Sequence, residues 1–174
     1  MKKDKRVVTD DQSSWVNAAE MEAMASIAER RFEPVKNAPS DTVLPKRKTA
    51  KSAGYDFVLP HDVFLPPNAS TGVILTNVKA IMPEDEVLLL FIRSSVGINK
   101  GVVLANGTGI IDADYANNPM NDGNIGIILR NESVNHVRLL KGERIMQGIF
   151  TKYLVTNNDD AEAERTGGFG STGR

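Results

Sequence analysis

The sequence predicts an all-β domain of the sandwich, jelly-roll or barrel kind, with a helical extension ahead of it and a glycine-rich arm behind. Three observations carry that prediction. From about Ser52 onward, short runs rich in β-branched and large aliphatic residues recur at close spacing. Turn residues separate them at Pro83-Glu84-Asp85, Asn106-Gly107, Asp122-Gly123 and Lys141-Gly142. No strand–helix–strand alternation and no repeat of solenoid length interrupts the pattern.

Residues 1–40 read as a helix and linker. "DDQSSWVNAAEMEAMASIAERRF" has good helix formers, acidic residues early and Arg30 and Arg31 late, the order a helix dipole favours. Ser13 or Ser14 can cap it. Trp15, Ala18, Ala19 and the stretch from Met21 to Ala25 give an uneven apolar face, as expected of a short helix packed on the domain or on a neighbouring subunit. "EPVKNAPSDTVLPKRKT" then reads as an extended, proline-punctuated connection. Residues 41–160 form the β core, with strands expected in "TGVILTNVKAIMP", "EVLLLFIRSS", "GVVLANG", "TGIIDADY", "GNIGIILRNES" and "HVRLLKGERIMQGIFTKYLV". Residues 161–174 form the arm.

Composition removes several classes of function. At 174 residues the chain fits one domain, and its net charge of -1 leaves no global basic field for nucleic acid or anionic lipid. The basic run "PKRKTAK" is local, either a solvated loop or a phosphate-steering or nuclear-import patch. The absence of cysteine removes disulfides, thiolate nucleophiles and cysteine zinc sites, and suits a reducing cytoplasm. No apolar stretch follows the charged start, and the strongly apolar run "VLLLFI" is far too short to span a bilayer, so a soluble protein is expected. His61 and His136 sit far apart in polar segments, leaving little material for a histidine-based triad or metal site. Proton chemistry, if there is any, falls to carboxylates.

Five segments could carry chemistry. In "NGTGIIDADY", Asn-Gly suits a tight hairpin, and strand alternation puts Ile110, Asp112 and Asp114 on one face. That is either a strand end running into solvent or a carboxylate general base beside a planar wall, Tyr115. In "RSSVG", Arg93 with Ser94 and Ser95 closes an apolar strand, as an ordinary polar end or as a phosphate cradle. "SAGYDF" sets Asp56 after a Gly-Tyr pair, and "GERIMQGI" sets Arg144 and Gln147 among apolar neighbours. The ending "RTGGFGSTGR" is either a solvated tail or an arm ordered by a ligand, with Phe169 as a stacking face and Ser171 and Thr172 as donors to an anion. Acid, phosphate donors, base with aromatic, polar strand and arm, in that order, suit a nucleoside triphosphate. No G-x-x-x-x-G-K-[ST] occurs, which excludes a Walker-type ATPase.

The segments "AGYD", "RSSVG", "NGTGIIDADY", "GERIMQ" and "GGFGSTG" together resemble the motifs of trimeric deoxyuridine triphosphatases (dUTPases), from roughly Arg31 to Arg174. The resemblance implies a β jelly roll, a homotrimer whose sites draw on all three subunits, and Mg²⁺-dependent cleavage of dUTP to dUMP and pyrophosphate. It implies that Asp112 activates the water attacking the α-phosphorus. Asn106 and the backbone of Gly109, Ile110 and Ile111 would read uracil, with Gly126 on the other side. Tyr115 would lie under the deoxyribose and exclude a 2′-hydroxyl. Arg93, Ser94, Ser95 and Gln147 would hold phosphates, and Asp56 would act on the magnesium through water. Arg165, Gly170, Ser171 and Thr172 would close on the triphosphate with Phe169 over uracil.

Two stretches depart from the family pattern. "ANNPMNDG" follows Tyr115 where a basic residue and glycine are commoner, and the spacing from Arg165 to the glycine pair is one residue short. Two rival functions are a dCTP deaminase and a dUTPase-like trimer whose task is to engage a regulatory protein partner. No glutamate lies between Arg93 and Glu132 to serve the deaminase. The helix or the "ANNPMNDG" loop would serve as the partner contact.

Overall fold

Glu86–Ile92, a strongly apolar stretch of the chain, forms one of the two inner strands of the largest sheet in the computed structural model. The structure describes residues 29–163, 165, 167 and 168. The helix expected ahead of Arg30 lies outside them, as do Phe169, Gly170, Ser171 and Thr172 of the arm.

In chain order the strands are β1 (Arg31–Pro34), β2 (Tyr55–Val58), β3 (Val63–Leu65), β4 (Ile74–Leu75), β5 (Val78–Ile81), β6 (Glu86–Ile92), β7 (Val102–Leu104), β8 (Gly109–Asp112), β9 (Gly126–Ile127), β10 (Leu129–Asn131), β11 (Val137–Leu139) and β12 (Arg144–Lys152). One short helix, α1 (Ser94–Lys100), and a 3₁₀ turn, Ala113–Tyr115, interrupt them. All pairings are antiparallel. The four-stranded sheet runs β2-β12-β6-β8, and the two-stranded ladders are β1-β5, β10-β7, β11-β3 and β4-β9. The all-β expectation is borne out.

Leu88 and Leu90 of β6 are fully buried with Phe57, Leu59, Leu65, Ile125, Leu129, Leu139, Ile145 and Met146. Burial of such side chains contributes roughly 2 kcal/mol each before chain entropy is counted. Gly148 of β12 is needed beside them, because a Cβ there would sit 2.8 Å from Leu88 Cδ1 and 3.0 Å from Phe57 Cε2. Among the described residues no helix is long and apolar enough to cross a membrane.

Four local expectations are corrected. The connection after the N-terminal segment opens with a strand, β1, because Phe32 packs edge-on against Phe57 at 5.3 Å and Tyr55 at 5.4 Å. "RSSVG" begins a helix: the Arg93 carbonyl accepts from the amides of Val96 and Gly97, Val96 anchors the turn in the core, and left-handed Gly101 ends it. Asn106-Gly107 does make a tight turn, with Gly107 at φ 76°, but β7 pairs with β10 and β8 with β6, so it joins two sheets and closes no hairpin between its own flanks. The strand expected through Asp114 stops at Asp112, where the 3₁₀ turn begins.

Candidate active site

The expected site residues fall into two clusters. The first is built on neighbouring strands of the large sheet. Asp56 of β2 lies opposite Gln147 of β12, and Arg93 follows directly on β6. The Asp56 carboxylate, largely buried, pairs with Arg93 Nε at 3.0 Å and Arg144 Nη1 at 2.7 Å, while Arg93 Nη1 also donates to the Arg144 carbonyl at 3.2 Å. Gln147 folds its carboxamide over Gly54, where a Cβ would stand 2.6 Å from Oε1. Ser94 and Ser95 are exposed in the first turn of α1. Two guanidinium groups, a carboxamide and two hydroxyls at one end of the sheet are donors of the kind that suit a polyanion.

The second cluster surrounds a cavity of about 260 Å³ lined by Asn106, Gly109, Ile110, Ile111, Asp112, Tyr115, Gly126 and Arg165. Ile110 and Asp112 share the outward face of β8, as alternation requires. Asp114 leaves the strand, yet both carboxylates still reach one partner. Arg165 Nη2 bonds Asp112, and Arg165 Nε bonds Asp114 at 2.6 Å. The Arg165 carbon between the guanidinium nitrogens stands 5.9 Å from the centre of the Tyr115 ring, which is buried. Burial alone would weaken the hold of Arg165 on its proton. Its bond to Asp114 and the charges of Asp114 and Asp112 outweigh that and raise its pKa. Gly168 presses on the same ring, since a Cβ there would lie 2.6 Å from Tyr115 Cε2.

The two clusters are far apart within one chain. Gln147 is opposite both Asp56 and Phe91, whereas Asp112 is opposite Val87. Four residues along β6 and three strand spacings across the sheet separate Asp56 from Asp112, about 20 Å by ordinary sheet dimensions.

A model of the dUTPase family matches residues 40–173. The chain belongs to the dUTPase family. It is 46% identical over 132 residues to the deoxyuridine 5'-triphosphate nucleotidohydrolase of Lactococcus lactis, covering 75% of this chain and 87% of that one. A crystal structure of the dUTPase from Streptococcus mutans superposes with a TM-score of 0.67 at 41% identity, covering 73% of this chain and 98% of the other. A variant of the Staphylococcus bacteriophage 80alpha dUTPase, solved with dUpNHpp, superposes with a TM-score of 0.62 at 26% identity, covering 84% and 99%.

Family membership directs attention to residues outside the sequence-expected set. Arg144 shares Asp56 with Arg93, and Gly54 makes room for Gln147. In the loop after Tyr115, Asn118 donates to the Tyr115 backbone carbonyl and Asn121 to its phenol oxygen. Arg144 was visible as a charge amid apolar neighbours. The asparagines gave no signal beyond a polar loop.

Proposed function

We propose that the chain cleaves dUTP to dUMP and pyrophosphate, with Asp112 activating the attacking water, at sites assembled between copies of the chain. The hydrolysis itself follows from membership of the dUTPase family. The observation that carries the fuller reading is the pairing of a half-exposed carboxylate, Asp112, with an aromatic-walled cavity and a guanidinium at one mouth. Phosphoryl transfer needs alignment and charge neutralisation above all, and these groups supply both without histidine or cysteine.

In this reading Asn106, Gly109, Ile110, Ile111 and Gly126 surround the uracil, and Tyr115 underlies the deoxyribose. Arg93, Ser94, Ser95 and Gln147 grip the phosphates. The domain limits follow the same division, with residues 1–40 as a helix and linker that joins the core through β1, 41–160 as the β core and 161–174 as the arm. Arg165 exchanges Asp112 for the triphosphate when the nucleotide enters, with Phe169, Gly170, Ser171 and Thr172 closing behind it. That exchange frees the Asp112 carboxylate to take a proton from water.

The separation of about 20 Å supports a trimer with shared sites. A water held by Asp112 must approach phosphorus to roughly 3 Å, so phosphates gripped by the Arg93 cluster belong to another copy. Among the described residues no group of three acidic or histidine side chains could hold a metal. Asp56, already paired with two arginines, fits a water-mediated contact to Mg²⁺ carried in by the substrate, where the ion would neutralise phosphate charge. A cytoplasmic nucleotide pool is the setting this activity needs, where it keeps uracil out of DNA and supplies dUMP for thymidylate synthesis.

The test is product analysis after incubation with Mg²⁺ and dUTP, dCTP, dTTP or UTP, beside Asp112→Asn. Conversion of dUTP alone, lost in the variant, is expected. Release of ammonia from dCTP would contradict the reading.

A further inference from the structure

We propose that Asn121, in the loop after Tyr115, is a positioning residue that fixes the tyrosine ring and thereby sets the rejection of ribonucleotides. The inference rests on the reading of Tyr115 as the wall beneath the sugar.

Loop 116–123 is knit to the ring by bonds whose directions are all determined. The Asn118 Oδ1 accepts from the amides of Met120 and Asn121, both at 3.1 Å, so its Nδ2 is the atom facing the Tyr115 carbonyl at 2.8 Å and Asn121 Oδ1 at 2.7 Å. Asn121 Oδ1 also accepts from the Gly123 amide at 3.1 Å, which leaves Asn121 Nδ2 to donate to the Tyr115 phenol oxygen at 2.8 Å. The phenol must then donate its own proton to the Asn124 carbonyl, 2.9 Å away. Tyr115 therefore has both a donor and an acceptor contact behind it. Its oxygen is committed to the loop, and its ring presents shape to the cavity.

The loop is itself held. Gly123 passes so close that a Cβ would lie 2.8 Å from Ala116 Cα and 2.9 Å from the Tyr115 carbonyl. Buried Lys79 donates to Asn117 Oδ1 at 2.5 Å and to Asp122 at 3.2 Å, and the Lys36 amide bonds Asp122 at 2.8 Å. The Asn124 side chain accepts from the Asn77 amide at 2.9 Å. Among the described residues, Asn121 is thus the one side chain that connects a braced loop to the tip of the ring. A wall that excludes one hydroxyl must not yield by a fraction of an ångström, and such rigidity is what second contacts supply.

The experiment measures kcat/KM for dUTP and UTP in the wild type, Asn121→Ala, Tyr115→Phe and the double variant, with Tyr115→Ala as control. Asn121→Ala is expected to lower the dUTP-to-UTP ratio about fivefold or more, the scale of one lost buried hydrogen bond. The change should lie mainly in UTP, with kcat for dUTP held within about twofold. In the Tyr115→Phe background the same substitution should add less than about twofold, since the atom it acts on is gone. If Asn121→Ala does not fold, Tyr115→Phe decides alone: a similar fall supports the proposal and an unchanged ratio overturns it. A ratio unchanged in Asn121→Ala, or an equal fall with and without the phenol oxygen, also overturns it. Tyr115→Ala separates the two claims. If it keeps the wild-type ratio, the sugar-wall reading fails and takes the inference with it; if it loses the ratio while Asn121→Ala does not, the inference alone fails.

Discussion

In the proposed reading, Arg165 occupies the carboxylate that the reaction requires free. Its guanidinium bridges Asp112 and Asp114 over the Tyr115 ring, and its proton is held more firmly than usual by those charges. The proposal gives the residue a second set of anionic partners beside these carboxylates, the phosphates of the nucleotide. Arg165→Ala should lower kcat/KM for dUTP about 10²-fold, the scale of removing one preorganised group from a transition-state charge. Steady-state kinetics checks this: an unchanged kcat/KM would mean that Arg165 takes no part in holding the triphosphate, and a rise would mean that it only blocks Asp112. Gly54 offers a second residue-scale prediction. A methyl group at Gly54→Ala would displace the carboxamide of Gln147 and press on its Cβ at 3.0 Å. KM for dUTP should rise several-fold, about the effect of one phosphate contact, measured on protein shown by its melting curve to be folded. Asp112, Tyr115 and Arg93 stand out in the sequence by residue type and order, and the structure sets the first two at one cavity and the third against Asp56. Arg144 was not legible as the partner of Asp56, because an ion pair across 88 positions depends on strand register that no local pattern encodes.

At the scale of elements, the loop after Tyr115 departs most from expectation. Its run of asparagines reads as a soft tip, yet Asn118 is buried and every one of its side-chain polar atoms is bonded. Asparagine suits left-handed corners such as Asn117 at φ 58° and bonds its own backbone, so a polar loop can be rigid without an apolar core. The loop should also respond to acid. Burial pushes the Asp122 carboxyl up, but the Lys36 amide and Lys79 pull it down further, to a net value below its ordinary 3.8. The unfolded chain therefore binds more protons in this range. The stabilisation from Asp122 is complete above the ordinary aspartate range and is lost as pH falls below about 4 and on through the native value. Asp122→Ala, which leaves the buried Lys79 ammonium with Asn117 and the more distant Glu33 carboxylate at 3.8 Å, should destabilise the fold by about 2 kcal/mol at neutral pH. Denaturant melts against pH would show the wild type approaching the variant on acidification, and parallel curves would contradict this. Helix α1 escaped prediction for another reason. Seven residues anchored by one buried valine leave too little periodicity to read.

The whole molecule divides what its sequence lists as one set. The apolar runs specify the β core, and β6 with β12 appears where the longest of them predict. What the runs do not encode is that the sheet carries Asp112 toward one end of β6 and the Arg93 cluster to the other. Pairing partners such as β7 with β10 are set by three-dimensional closure, not by neighbouring sequence. The proposed site between copies would reconcile that separation with a single reaction. The most direct measurement is complementation between two inactive chains, Asp112→Asn and Arg93→Ala, unfolded together and refolded as mixed oligomers. Each variant alone should turn over almost no dUTP. Mixed in equal amounts, they should recover roughly a quarter of wild-type activity, the chance that a site takes its Asp112 and its Arg93 each from a chain that retains it. Recovery near that level is the result predicted here. No recovery in oligomers shown to be mixed would put both residues of each site in one chain and contradict the account.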